Sequence, residues 1–320
     1  MERGGTMMEL LFDSHFIGSL LQSTLRVTTP LLLVALGELY GERAGMINIG
    51  LDGIMTVGAT VGFIVGYITV NPVLGLVVGA LAGMLINMIY AYSTITLRSG
   101  QIINGMALNI LAPALSIFIF RQYFGVTTKL IQGTVLKAII VPVLSDIPVL
   151  GPALFNQNPI TYLAFVLAIL TAIFFNKTKP GLDYRAVGEF PKAAETLGIN
   201  VIRKKYIACM ICGAFAGLGG AYLNTCYIGT YAEGVVAGRG FIALSAVIFG
   251  GWRVRGLVLA TLLFGFTDAI QLRFQTILPG IPYQILAMLP YLSTIAALFI
   301  MRNSGLAPRA NGTPYSREGH

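Results

Sequence analysis

The chain has 320 residues, 56% of them hydrophobic and only 11% charged, with 38 glycines and a formal net charge of +8. Soluble chains carry about 25% charged residues, so a water-soluble enzyme is excluded; 18 Phe, 14 Tyr and long Leu/Ile/Val runs exclude disorder. In a bilayer, the length accommodates about nine or ten helices of roughly 20 residues with their connections.

Apolar runs place candidate spans at 20–40, 46–70, 72–97, 101–124, 157–176, 206–228, 239–252, 255–274 and 283–301. The run 239–252 is too short to cross simply and reads as tilted, broken or half-inserted. Ahead of the first span, Glu2, Glu9 and Asp13 do not fit a cleavable signal peptide, which starts basic. The second and third spans carry the tandem repeats Gly58/Gly62/Gly66 and Gly75/Gly79/Gly83, and the sixth carries Gly213/Gly217. Glycines four apart share a helix face and let two backbones approach closely in a membrane, so these stripes predict a tight bundle.

The longest polar interruption, 177–205, holds Lys177, Lys179, Arg185, Lys192, Arg203, Lys204 and Lys205. Cytoplasmic loops are enriched in Lys and Arg. Placing this loop inside also places Arg43, Arg98, Arg253, Arg255 and the tail 302–320, with Arg302, Arg309 and Arg317, inside by alternation. Arg3, Arg26, Arg121, Lys129, Lys137, Arg239 and Arg273 then fall outside or within spans. This distribution follows membrane topology and gives no nucleic-acid surface. The segment 125–156, broken by Pro142, Pro148, Pro152, Gly133 and Gly151, becomes the main external loop, either a cover for the outer mouth or a connector. Cys209 and Cys212 form a C-x-x-C with no second pair and read as packing residues, so no metal is expected.

Polar groups inside spans are functional candidates. Between Gly37 and Gly53, Glu38, Glu42, Arg43, Asn48 and Asp52 sit among five glycines, and such backbone survives at membrane depth only when buried in protein or lining a wet cavity. Glu42 and Arg43 read as an ion pair at the cytoplasmic edge. Asn48 and Asp52, four apart, would share one side if helical, either lining a pathway or forming a structural cap. Asn104, Asn109, Asp268 and Gln271 carry the same two readings, substrate contact or bond to a neighbouring helix. Among the polar groups no His/Asp/Glu or Ser/His cluster suggests an enzyme.

Within the basic loop, Pro191 suits the first turn of a helix, Gly198 its stop, and Asn200 a cap for the helix that follows. A helix of about two turns results, with Ala193, Ala194 and Leu197 on one face, small enough for another protein's groove. Arg185-Ala-Val-Gly-Glu189-x-Pro191-x-Ala193-Ala194-x-x-x-Gly198-Ile199 resembles the coupling loop of ABC-importer permeases, in the branch serving branched-chain amino acids, simple sugars and nucleosides. Glu42-Arg-Ala-Gly-Met-Ile-Asn-Ile-Gly-Leu-Asp-Gly-Ile-Met55 and Ala237-Gly-Arg-Gly-Phe-Ile-Ala-Leu-Ser-Ala-Val-Ile-Phe-Gly-Gly-Trp252 resemble the early and late motifs of its nucleoside/simple-sugar group. Asp52 stands where many relatives carry Glu, and Arg253-Val254-Arg255 replaces a turn that often carries Asn-Pro.

The resemblance implies an all-α polytopic permease, one transmembrane domain over 1–320 with a short cytoplasmic coupling helix. It implies a non-catalytic subunit that binds no cofactor, with ATP and Mg on a separate ATP-binding subunit; the chain has no G-x-x-x-x-G-K-[ST] loop. Expected partners are a second permease in a heterodimer, the ATP-binding subunit, and a substrate-binding lipoprotein or periplasmic protein at a prokaryotic cell membrane. Glu189, Pro191, Ala193, Ala194, Leu197, Gly198 and Ile199 would couple to the ATPase. The expected substrate is a nucleoside, with simple sugars such as ribose or galactose as the alternative and branched-chain amino acids behind them. A secondary transporter is the rival from another class. It would need carboxylate or ion sites at a repeat interface and leaves the Ala193 helix without a role.

Overall fold

A computed structural model describes residues 14–126, 129–140, 142, 145, 147, 149–277, 282–300 and 307–316. Arg3, Asp146, Pro148, Arg302 and Arg317 lie outside the described residues. The long helices are α1 (Ser14–Arg43), α2 (Leu51–Thr69), α3 (Pro72–Ala91, continued by a π-helical turn Tyr92–Thr96) and α4 (Gln101–Phe124). The strands β1 (Ile139–Ile140) and β2 (Asn156–Gln157), paired antiparallel, flank the short α5 (Leu150–Phe155). There follow α6 (Pro159–Lys177), α7 (Lys179–Glu189), α8 (Pro191–Thr196), α9 (Val201–Tyr222, with a π-helical turn Leu223–Ile228), α10 (Arg239–Phe249), α11 (Val254–Ile277), α12 (Tyr283–Ala287) and α13 (Leu289–Ile300).

Among the described residues, seven helices are long and apolar enough to cross a membrane. They are fewer than the nine candidate runs because two runs, 239–252 and 283–301, give shorter helices, and a third, 46–70, is trimmed at its start. The run 239–252 is helical only as far as Phe249. The run 283–301 is divided at Met288 into two short helices. The run 46–70 opens with a non-helical stretch, and its helix begins at Leu51.

The core is organised by α9, which packs against α1, α2 and α3. The three glycine stripes meet there. A Cβ on Gly217 would lie 2.4 Å from the Gly79 carbonyl oxygen, one on Gly58 would lie 2.3 Å from that of Gly217, and one on Gly83 would lie 2.5 Å from that of Gly213. Bare backbone is therefore the condition for the three helices to touch. A proline in mid-helix removes one backbone donor. Pro30 does so in α1, and the carbonyl it would orphan, that of Arg26, accepts instead from the buried Tyr222 hydroxyl of α9 at 3.3 Å.

The loops gather at two ends. At one, the segment after α4 is tied to the end of α9: Gly133 N–H donates to Gly229 at 2.9 Å and Leu136 N–H to Thr225 at 3.0 Å, with Asn158 reaching the Leu136 carbonyl at 2.7 Å. The described part of 125–156 therefore lies across that end of the bundle. At the other end, Arg43, Lys177, Arg185, Arg253 and Arg255 line one open cavity. Residues that charge alone had assigned to one side of the membrane thus share one end of the fold.

The glycine contacts give a direct check. Gly217→Ala should cost about 1–3 kcal/mol by forcing backbones apart. Gly66→Ala, whose Cβ would have no neighbour nearer than 3.7 Å, should be neutral or stabilise by about 0.5–1 kcal/mol through helix propensity. Thermal unfolding in detergent reads both; equal effects would show that the stripe is not closely packed.

Candidate functional site

The short helix α8 stands outside the bundle between α7 and α9. Pro191 is its first residue, the Gly198 N–H closes on Glu195 at 2.9 Å, and Gly198 takes φ +81 with open space around it. Asn200 caps α9 by accepting from the Arg203 N–H at 2.9 Å. Ala193, Ala194 and Leu197 do not share a face: Ala194 turns inward and packs with Val187 and Val201, while Ala193 is exposed and Leu197 is 80% exposed. The outward surface is therefore Ala193 with Leu197, one turn apart. Ile199 packs against the same inner cluster as Ala194, and Glu189 lines the cationic cavity.

The preceding helix α7, capped by Thr178 accepting from Gly181 N–H at 3.1 Å, was not anticipated. It joins the bundle through Tyr184, which lies edge-on to Tyr40 and under the Lys204 ammonium. Burial pushes the Tyr184 hydroxyl up to about 12, so it stays neutral at physiological pH.

Inward of this region, residues 44–50, which join α1 to α2, are not helical, and side chains satisfy their backbone. Glu38 accepts from Asn48 N–H at 2.8 Å, and Gln101 accepts from Ile47 N–H at 2.8 Å. The Tyr90 hydroxyl donates to the Ile47 carbonyl at 2.5 Å. Asn109 accepts from Gly53 N–H at 2.8 Å and donates to the Ile49 carbonyl at 2.7 Å. Asn48 accepts from Gly50 N–H at 2.9 Å and donates to Asn87 at 2.8 Å. Asn104 bonds Ser93, Ser99 and the Gly100 carbonyl. Because the stretch is not helical, Asn48 and Asp52 do not share a side; Asp52 accepts from Gly240 N–H of α10 at 3.0 Å.

The expected Glu42–Arg43 ion pair is likewise replaced by a shared third residue. Glu42 is wholly buried and accepts from the Trp252 indole N–H at 2.5 Å and from Asn311 at 3.0 Å. Arg43 donates to the Trp252 carbonyl, at 3.0 Å from Nε. Trp252, at φ +55 just after α10, carries no charge to draw attention in the sequence, and it fixes this corner.

Being 11 residues long, α10 spans about 16 Å, roughly half the hydrocarbon core. Just beyond its C-terminal end Trp252 meets Glu42 and Arg43, and its N-terminal end reaches α2 and α11. There Asp52 meets Gly240, and Arg239 pairs with Asp268 at 3.5 Å. Gly240 permits the approach, since a Cβ would lie 2.3 Å from Asp52 N. Arg239, read only as a stray basic residue, is thus the cation between two carboxylate-bearing helices. Among the described residues no group of three or more His, Cys, Asp or Glu could hold a metal ion.

The model of the branched-chain amino acid transport system permease component family matches residues 20–300. The chain is 38% identical over 304 residues to the nucleoside ABC transporter permease protein NupC of Lactococcus lactis subsp. cremoris, covering 90% of this chain and 93% of that one. It is 38% identical over 312 residues to the guanosine ABC transporter permease protein NupQ of Bacillus subtilis, covering 94% and 97%. It is 36% identical over 303 residues to the putative glucose ABC transporter permease protein TsgC13 of Haloferax volcanii, covering 88% and 91%. NupB and NupP, further permeases of those first two organisms, match at 25% and 27% over 79% of this chain. No solved structure matches.

The Trp252 corner can be tested by Trp252→Phe, which keeps an aromatic ring and deletes the donor to Glu42. Loss of a buried hydrogen bond to an acidic group costs about 1–3 kcal/mol. Denaturation of the purified chain in detergent should show that loss, and no change in midpoint would contradict the corner's structural role.

Proposed function

The chain belongs to the branched-chain amino acid transport system permease component family, and on that premise we propose that it is the membrane subunit of an ATP-driven importer for nucleosides. The observation that carries this reading is a short helix, begun by Pro191 and ended before Gly198, held outside the bundle with Ala193 and Leu197 exposed, in a chain whose relatives at 38% identity are named for nucleosides and guanosine. A groove in a separate ATP-binding subunit would receive that face. ATP and Mg would sit on that subunit and none on this chain.

The end carrying α8 and the cavity of Arg43, Lys177, Arg185, Arg253 and Arg255 would face the cytoplasm, in keeping with the positive-inside rule. The described part of 125–156 would then lie outside, where a substrate-binding lipoprotein or periplasmic protein delivers cargo. Nucleoside permeases of two kinds in each of two organisms support a second, different permease as partner. Closure of the ATPase would move α8, and the bundle would alternate between outward- and inward-open states. ATP turnover can respond to substrate only through a free-energy difference between those states.

For the pathway, we assign polarity to Asp52 and Asp268, which with Arg239 surround the half-buried start of α10. A helix that starts inside a membrane presents an N-terminus with partial positive charge, and here the Asp52 carboxylate accepts from its Gly240 N–H. Asn48, Asn104 and Asn109 are assigned to holding the backbone, because their amides are engaged there. A second reading, a simple-sugar permease, is favoured by the 36% identity to the putative glucose permease.

Two measurements check the proposal. In vesicles bearing the reconstituted complex, adenosine and guanosine should compete with labelled guanosine uptake, and glucose, ribose and leucine should not; competition by sugar or leucine alone overturns the nucleoside assignment. Ala193→Trp, which fills the outward face without touching the core, should lower substrate-stimulated ATP hydrolysis at least about tenfold, or about 1.4 kcal/mol of lost coupling, with the complex still assembled. Normal stimulation overturns the coupling role.

A further inference from the structure

The C-terminal segment 307–315 is not a loose tail. Pro308 and Ala310 are buried, and the segment turns tightly: Asn311 N–H donates to Pro308 at 3.0 Å and Thr313 N–H to Ala310 at 3.2 Å, with Gly312 at φ +77. From this turn, contacts run in two directions. Toward the coupling helix, the Tyr315 hydroxyl donates to the Glu195 carboxylate in the last turn of α8. The Arg309 guanidinium lies 5.1 Å over the Phe190 ring at the start of α8. Ala310 N–H donates to the Gly188 carbonyl at the end of α7 at 2.9 Å. Toward the bundle, Asn311 donates to the buried Glu42 at 3.0 Å. The Gln101 amide at the start of α4 donates to the Thr313 carbonyl at 3.4 Å. Gly45, at φ +76, leaves room for Ala310, whose Cβ would be 3.0 Å from an added one.

Both ends of α8 are therefore bonded to a segment that is itself bonded to α1 and α4, and through Glu42 to Trp252. The covalent route from α8 into the membrane is softer. It passes on one side through Gly198, left-handed and with no neighbour near it, and on the other through the extended residue Thr178 between α7 and α6. A displacement of α8 could be absorbed at those joints. The strap bypasses them and ends on a carboxylate for which Asn311 is one of two donors, the other being Trp252.

We propose that residues 307–315 form a transmission strap that delivers movement of α8 to the inner ends of α1 and α4 and to the Trp252 turn, with Asn311 and Tyr315 as its two positioning residues. The proposal rests on the coupling role of α8. It differs from it in making a segment about 115 residues away in sequence necessary for the yield of transport.

The test is the ratio of substrate moved to ATP hydrolysed in the reconstituted complex. Three forms are compared with wild type: Asn311→Leu with Tyr315→Phe, Tyr315→Phe alone, and Ala193→Trp as the arm that probes α8 directly. The strap predicts that the double variant assembles with unchanged stoichiometry and continues to hydrolyse ATP, while transport per ATP falls at least about fivefold, the lower end of typical coupling effects. Tyr315→Phe, which deletes one hydroxyl and no packing, should fall between. A merely structural tail would lower assembly or thermal midpoint and leave the ratio intact, which overturns the strap. If Ala193→Trp impairs coupling and the tail variants do not, the strap alone fails; if Ala193→Trp has no effect, the coupling reading fails and the strap with it. Should the double variant not assemble, an unchanged ratio in Tyr315→Phe is enough to overturn the proposal.

Discussion

A buried peptide group needs a hydrogen-bond partner, and the fold is arranged around meeting that demand where the chain passes from its first span to its second. Between Ala44 and Gly50 the chain is not helical, yet Glu38, Tyr90, Gln101, Asn109 and Asn48 supply the partners its amides and carbonyls lack. Those side chains come from α1, α3, α4 and the stretch itself. The break therefore draws three helices to one point and sets the position of α2, whose first turn then holds the start of α10 through Asp52. Much of the polarity inside this membrane protein is spent on its own backbone.

Close packing does the rest. The meeting of α2, α3 and α9 depends on glycine facing carbonyl, a contact that gains dispersion energy and costs little side-chain entropy. The donor missing at Pro30 is replaced by Tyr222 from the same central helix. A rigid inner group of α1, α2, α3 and α9 results. Against it are set two short elements: α10, held at its start by Asp52 and beyond its end through Trp252, and α8, which turns Ala194 inward and leaves Ala193 and Leu197 exposed. Such a division suits a machine in which a stiff body must turn a small displacement into a change of state, because packed interfaces switch between arrangements in preference to deforming continuously.

Most of the architecture was legible in the chain. The glycine stripes predicted a tight bundle, Pro191, Gly198 and Asn200 bounded α8, and Arg43, Lys177, Arg185, Arg253 and Arg255 share one end, as their loop distribution required. The misses have physical causes. Spacing of four suggested a shared side for Asn48 and Asp52, but that inference holds only in a helix, and Gly50 ends up outside one. The adjacency of Glu42 and Arg43 suggested a pair, whereas neighbours in sequence on a helix point apart and here both reach Trp252. Ala194 was placed outward with Ala193, although successive residues on a helix differ by about 100° and only one can face the groove. The roles of Trp252, Arg239 and the tail could not be seen, because each depends on a partner far away in the chain: Glu42, Asp268 and Glu195 respectively.

The central claim is that the exposed Ala193–Leu197 face of α8 lies on the cytoplasmic side and seats in the ATP-binding subunit. Its most direct test is labelling of a Leu197→Cys variant by a membrane-impermeant maleimide. In inside-out vesicles stripped of the ATPase the thiol should react readily, and restoring the ATPase should protect it; intact cells should leave it unlabelled. Labelling from outside intact cells, or full reactivity with the ATPase bound, would contradict the account.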